Sequence, residues 1–245
     1  MTADATRTLD DLADDFATKV TTLTRGVLGE DSPRFHAVNT GQRIRVAPID
    51  DSEVIRPIPI SVNGELRLGL RVIYYCCWDG YSTFMATDAA DFHLHFAGVA
   101  EPLIRFEYLR RSKEPPGAHI QVHAHRDEMA YLLRLADAGR PKRGLKQDKV
   151  PRLSEMHIPV GGHRMRPSLE DVFLFLHREF AIDVQPDWHK VIDEYQREYR
   201  LVQMMTAVRD APESAAVVLR DLGYTVTPPA VGIPAQAEDS KLYWP

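Results

Sequence analysis

Cysteine is almost missing from this chain. Only Cys76 and Cys77 occur among 245 residues, and they are adjacent, so no disulfide framework can form. The pair reads either as small buried side chains in a reducing compartment or as a vicinal redox pair. Long apolar runs are missing too: nothing approaches the roughly 18 apolar residues of a membrane span. The opening Met1-Thr-Ala-Asp-Ala-Thr-Arg7 is polar, with no signal-peptide core behind it. These absences predict a cytoplasmic protein with no membrane partner. Positive charge is not in excess, since the net charge is -5, which argues against a surface coated for general nucleic-acid binding. The chain carries no internal repeat. What remains is ordinary globular composition, 44 % apolar and 27 % charged, enough for one large domain or two small ones.

Periodicity divides the chain. Leu9, Leu12, Phe16, Val20, Leu23 and Val27 recur at helical spacing, Thr8 and Asp11 fit a capping box, and Gly29 follows the end. This predicts an N-terminal helix within residues 1–30. From residue 34 to about 125 the pattern is that of strands. Asn63-Gly64 is a type I′ hairpin signal between Ile58–Val62 and Glu65–Tyr75, and Asp79-Gly80 is a second between Val72–Cys77 and Ser82–Ala86. Pro57 and Pro59 demote the first of these strands toward an edge. Asp91–Phe96, Leu103–Leu109 and His119–His125 complete a mostly antiparallel sheet of five or six strands. A short helix is expected over Asp127–Ala138. Another is expected after the Ser168-Leu-Glu-Asp171 capping box, with Val172, Phe173, Phe175, Leu176 and Phe180 on its apolar face. The fold class is therefore α+β, with a core over residues 34–182. A helical extension over 187–223, capped by Asp187, is expected to pack on that core, and a proline-rich tail over 224–245 follows.

Gly117-Ala-His-Ile-Gln-Val-His-Ala-His125 carries the most chemistry. With a two-residue period it places His119, Gln121, His123 and His125 on one face and Ile120, Val122 and Ala124 on the other. The same alternation puts His93 and His95 opposite Phe92, Leu94 and Phe96, and Arg105 and Glu107 opposite Ile104, Phe106 and Tyr108. Should these polar faces coincide, the sheet has one side for helices and one carrying histidines, Arg105 and Glu107. Such a side suits acid–base or metal chemistry, or it is a solvated sheet face.

Two further segments suit anions. Residues 140–152 hold Arg140, Lys142, Arg143, Lys146, Lys149 and Arg152 against Asp148, in a loop marked by Gly139 and Gly144. Gly161-Gly162-His163-Arg164-Met165-Arg166 is a glycine-rich turn before a helix start, a pattern that fits a phosphate site or a simple tight turn.

Three functions follow. In metal-free RNA cleavage, His123 or His125 takes the 2′-hydroxyl proton and His163 protonates the leaving oxygen. Arg105, Arg164 or Arg166 stabilises the phosphate, with Tyr75 or Tyr108 assisting and His119 and Glu107 on the same face. In the second, His123 and His125 ligate a divalent metal together with Glu128 and a further histidine. In the third the chain is a protein-interaction module whose histidines are a solvated or pH-sensitive face.

The order of Leu103-Ile-Arg-Phe-Glu107, a histidine-rich strand, His157-Ile-Pro and Pro167-Ser-Leu-Glu-Asp-Val-Phe-Leu-Phe-Leu176 resembles the TumE-like toxins of bacterial toxin–antitoxin pairs, over about residues 70–176. The resemblance implies a small toxin acting on RNA and neutralised by a helix-turn-helix antitoxin. This chain has Phe106-Glu107 where that family has tryptophan-aspartate, so no residue role is carried over. Gly117, five residues, then His123-Ala-His125, with Pro159-Val-Gly161-Gly-His163, is similar to the cupin metal motif. That similarity implies a divalent metal without the cupin fold, which needs strands where this chain offers helices.

Overall fold

The computed structural model describes residues 7–50, 52, 54–79, 82, 84–111, 117–123, 127–138 and 166–230. Helix α1 spans Leu9–Leu28, and its start is fixed as the sequence predicts. The Thr8 side chain accepts from the Asp11 amide, and the Asp11 carboxylate accepts from the Thr8 amide. Seven strands follow: β1 (Phe35–Asn39), β2 (Ile44–Pro48), β3 (Ile58–Val62), β4 (Glu65–Trp78), β5 (Met85–Phe96), β6 (Pro102–Leu109) and β7 (Ala118–Val122). The α+β class holds, but residues 35–48 supply an additional hairpin, so the sheet exceeds the five or six strands expected.

All the pairings are antiparallel, in the order β1-β2-β4-β5-β6-β7, with β3 also on β4. The 14 residues of β4 make this possible: β3 pairs along its first half and β2 near its end. Asn63 and Gly64 both have positive φ, 54° and 78°, as a type I′ turn requires. The second hairpin differs from expectation. Its strands run through Trp78 and from Met85, and Asp79 closes a wider connection in which its Oδ1 accepts from the Phe84 amide at 3.2 Å.

Helices α2 (Asp127–Ala138) and α3 (Leu169–Phe180) join α1 on one side of the sheet. Edge-to-face ring pairs mark the contact: Phe16 of α1 on Tyr74, Tyr74 on Phe92, Phe96 on Tyr131 of α2, and Phe106 on Phe175 of α3. Leu70, Val72, Phe92, Leu94, Ile104 and Phe106 are buried beneath them. The alternate residues of the same strands therefore project from the opposite side.

The predicted extension is α4 (Trp188–Asp210) and α5 (Pro212–Asp221). The first half of α4 supplies its apolar packing: Ile192 is buried, and Trp188, Val191 and Tyr195 lie against the core. The approach to α1 is close, since a Cβ on Gly26 would stand 2.9 Å from Val191 Cγ1. Beyond it Val202, Met205 and Val208 are about half exposed, and α5 buries nothing. The apolar residues of the extension are thus largely exposed beyond the middle of α4, while Arg209 in its last turn stands over the Phe84 ring at 5.2 Å. Asp187 precedes α4 but makes no side-chain cap; its Oδ1 pairs with Lys190 Nζ at 2.8 Å instead. Among the described residues no helix is long and apolar enough to cross a membrane.

Candidate functional site

Register brings the polar alternations together. Across β4, β5, β6 and β7, one row is Ile73, Asp91, Glu107 and His119, and the next is Arg71, His93, Arg105 and Gln121. Because paired residues share a face, both rows lie on the side away from α1, α2 and α3. The expected coincidence of the His93, Arg105, Glu107 and His119 faces is what the sheet shows.

Glu107 is the centre. Its Oε1 lies 2.7 Å from His93 Nε2 and its Oε2 lies 3.0 Å from His119 Nε2. His119 is its direct cross-strand neighbour, whereas His93 reaches it diagonally from one row away. The three side chains are 16 %, 18 % and 10 % exposed for His93, Glu107 and His119, so the hydrogen bonds are sheltered without the site being closed.

Asp91 faces Glu107 directly across β5 and β6. Burial pushes its carboxyl pKa up, and Glu107 adds to the rise, while His93 and Arg71 oppose it. His95, beyond His93 on the same strand, has a ring centroid 6.4 Å from that of His93. Its Nε2 is buried without a hydrogen-bond partner, and burial followed by the charge of His93 lowers its pKa, which favours the neutral ring. Arg105 Nε is likewise buried without a partner. No ion pair joins Arg71 or Arg105 to a carboxylate among the described residues. Both arginines belong to the row next to that of the doubly hydrogen-bonded Glu107 carboxylate.

The other anticipated residues are distributed differently. β7 ends at Val122, and His123 continues only through its amide, which donates to the Leu103 carbonyl at 3.0 Å. The His123 ring turns to Glu101, Nδ1 to Oε1 3.4 Å. Four residues separate it from His119, about 13 Å along an extended strand, so His123 does not share the Glu107 cluster. Glu128 lies in the first turn of α2. Arg166 sits on the helix side, its guanidinium 4.4 Å from the Tyr108 ring centroid and 5.6 Å from that of Tyr199. Tyr108 itself alternates with Glu107 and faces the helices, so neither Arg166 nor Tyr108 joins the histidines. Tyr75 is on the histidine side, with Arg43 over its ring at 4.9 Å. His125, Lys142, Arg143, Gly161, Gly162, His163 and Arg164 lie outside the described residues. Burial pushes the Cys76 thiol up to about 12, which makes it a poor thiolate for a redox pair.

Three members of the cluster were not singled out from sequence as site residues: Asp91, His93 and Arg71. For the first two a signal existed, since Asp91-x-His93 places a carboxylate and an imidazole on one face of one strand. Arg71 carried none, because its place depends on the β4–β5 register.

Comparison with family models, with curated proteins and with solved structures yields no match.

Proposed function

We propose that the Glu107 cluster is an acid–base site that cleaves the phosphodiester backbone of RNA. The observation that carries this reading is Glu107 with an imidazole on each oxygen, on a sheet face whose next row carries Arg71 and Arg105, neither in an ion pair among the described residues.

In this reading Arg71 and Arg105 hold the non-bridging phosphate oxygens, where guanidinium geometry allows two parallel hydrogen bonds. Glu107 accepts the 2′-hydroxyl proton. The 2′-oxygen attacks phosphorus to form a 2′,3′-cyclic phosphate, the bond to the 5′-oxygen breaks, and His119 gives that oxygen a proton. His93 holds the other carboxylate oxygen and fixes its orientation. Positioned proton transfer of this kind contributes about 10²–10⁴-fold, and fixed positive charge at the developing oxyanion adds to it.

This arrangement keeps the anticipated chemistry and moves it along the sheet, from His123 to Glu107 and His119. A toxin role, with an antitoxin partner, is the biological form of the same proposal. The test is cleavage of single-stranded RNA by the full-length protein in EDTA, compared with Glu107→Gln and His119→Ala. Activity that both variants reduce at least about 100-fold, with unchanged melting, supports the reading. Wild-type protein without activity, or variants that retain it, contradicts it.

A further inference from the structure

Asp91 and Glu107 are like charges placed directly opposite each other on adjacent strands, an arrangement that costs stability unless something positive compensates it. Asp91 is half-buried, and no hydrogen bond to its carboxylate exists among the described residues. His93 stands two residues from Asp91 on the same face and touches Glu107. Ligand atoms of Asp91, His93 and Glu107 all lie within 4.8 Å of one another.

We infer that Asp91, His93 and Glu107 form a binding site for one divalent transition-metal cation of the zinc class. One imidazole nitrogen and two carboxylate oxygens are a donor set that such ions accept, leaving a fourth position open. A tetrahedral ion with metal–ligand bonds of about 2.0–2.2 Å holds neighbouring donor atoms about 3.3–3.6 Å apart, between the 2.7 Å of His93 Nε2 to Glu107 Oε1 and the 4.8 Å within which all three donors lie. An ion therefore needs side-chain adjustment only, not a change of strand register. His119, 3.0 Å from the other Glu107 oxygen, is the outer partner that orients the ligating carboxylate. The site differs in every residue from the His123, His125 and Glu128 set anticipated from sequence.

The inference does not depend on RNA cleavage, but it bears on it. A cation takes the His93 nitrogen and the Glu107 oxygen that now share a hydrogen bond and displaces the proton between them. The loaded protein is then the inactive form, and the cation is a regulator of the site.

The experiment is calorimetric titration of EDTA-stripped, untagged full-length protein with zinc chloride, together with the visible absorption of cobalt(II) on the same protein. One equivalent of zinc is expected, with binding weakened about 100-fold or more in Asp91→Asn and in His93→Gln, about 10-fold in His119→Ala, and unchanged in His189→Ala, whose ring is on the exposed surface of α4. Melting in EDTA separates loss of the site from loss of the fold. The ¹⁵N shift of the His93 ring on adding zinc reads the contact in unaltered protein. Failure of the wild type to bind zinc, an unshifted His93 ring, or binding that survives both ligand substitutions overturns the inference. Binding removed only by His123→Ala overturns it as well. Zinc binding without RNA cleavage supports the cation site and contradicts the acid–base reading, whereas cleavage in EDTA without zinc binding does the reverse.

Discussion

Glu107 and His93 are not paired across their strands: Glu107 stands opposite Asp91 and His93 opposite Arg105. Their side chains nevertheless meet at 2.7 Å, because a diagonal neighbour on a sheet face is within reach of a long carboxylate and an imidazole. Removing either group therefore leaves its partner sheltered and without that bond. His93→Ala is expected to weaken RNA cleavage about 10-fold or more, less than Glu107→Gln, because it disturbs the carboxylate's orientation and leaves the carboxylate itself in place. Steady-state kinetics on one RNA substrate check the order: the larger loss at Glu107 is predicted, and equal losses contradict separate roles.

Arg71 and Arg105 are assigned to phosphate. Alanine at either position is expected to weaken binding of a short single-stranded RNA and to lower the slope of log affinity against log salt by about 0.7 per arginine. Fluorescence anisotropy from low to moderate salt reads both effects. An unchanged slope removes the arginines from the interface.

The helical scaffold is joined through one carboxylate. Asp171 completes the capping box of α3 with Ser168, and its Oδ1 also accepts from Gln196 Nε2 and Arg200 Nη2 of α4, each at 2.9 Å. Asp171 is 4 % exposed at its side chain, so Asp171→Ala removes at once a cap, the Gln196 hydrogen bond and the charge-assisted bond from Arg200. A loss of about 3 kcal/mol is expected, against about 1 kcal/mol for Ser168→Ala. Urea unfolding of both variants tests the difference.

Glu170, next to that carboxylate, gives a pH signature. Burial raises its pKa, and hydrogen bonds from its own backbone and from Ser168 only partly oppose the rise. The folded state therefore keeps this proton to higher pH than the unfolded chain, whose glutamate titrates near about 4.3. The glutamate's contribution to stability is fully present below that unfolded value and falls as pH rises through the folded pKa. Glu170→Gln lacks this loss. The variant is expected to exceed wild type in stability at pH 8, and by progressively less as pH falls toward 4. Parallel stability curves for the two proteins would show that Glu170 is not held protonated by burial.

Much of this architecture was legible in the residues because it depends on local pattern. The capping boxes Thr8/Asp11 and Ser168/Asp171, the Asn63-Gly64 turn and the alternation that puts Glu107 opposite Phe106 are each set within a few residues. What was not legible is register. Alternation placed His119 and His123 on one face without showing that the strand ends between them, or that Asp91 comes to stand opposite Glu107. Arg166 misleads for a related reason: a glycine-rich turn before a helix fits an anion site, yet its place beside α3 puts the guanidinium over Tyr108 and Tyr199. The apolar stripe of α4 likewise promised packing along its whole length. Periodicity reports which side is apolar but not where the neighbouring helix stops.

The most direct measurement of the central claim compares one single-stranded RNA with the same sequence carrying a single 2′-deoxy nucleotide at the cleaved position, both incubated with full-length protein in EDTA. The site built on Glu107, His93 and His119 needs the 2′-hydroxyl, so the account predicts cleavage of the all-ribose strand to a 2′,3′-cyclic phosphate end. The substituted position should remain intact. Equal cleavage of both strands, or of neither, would contradict it.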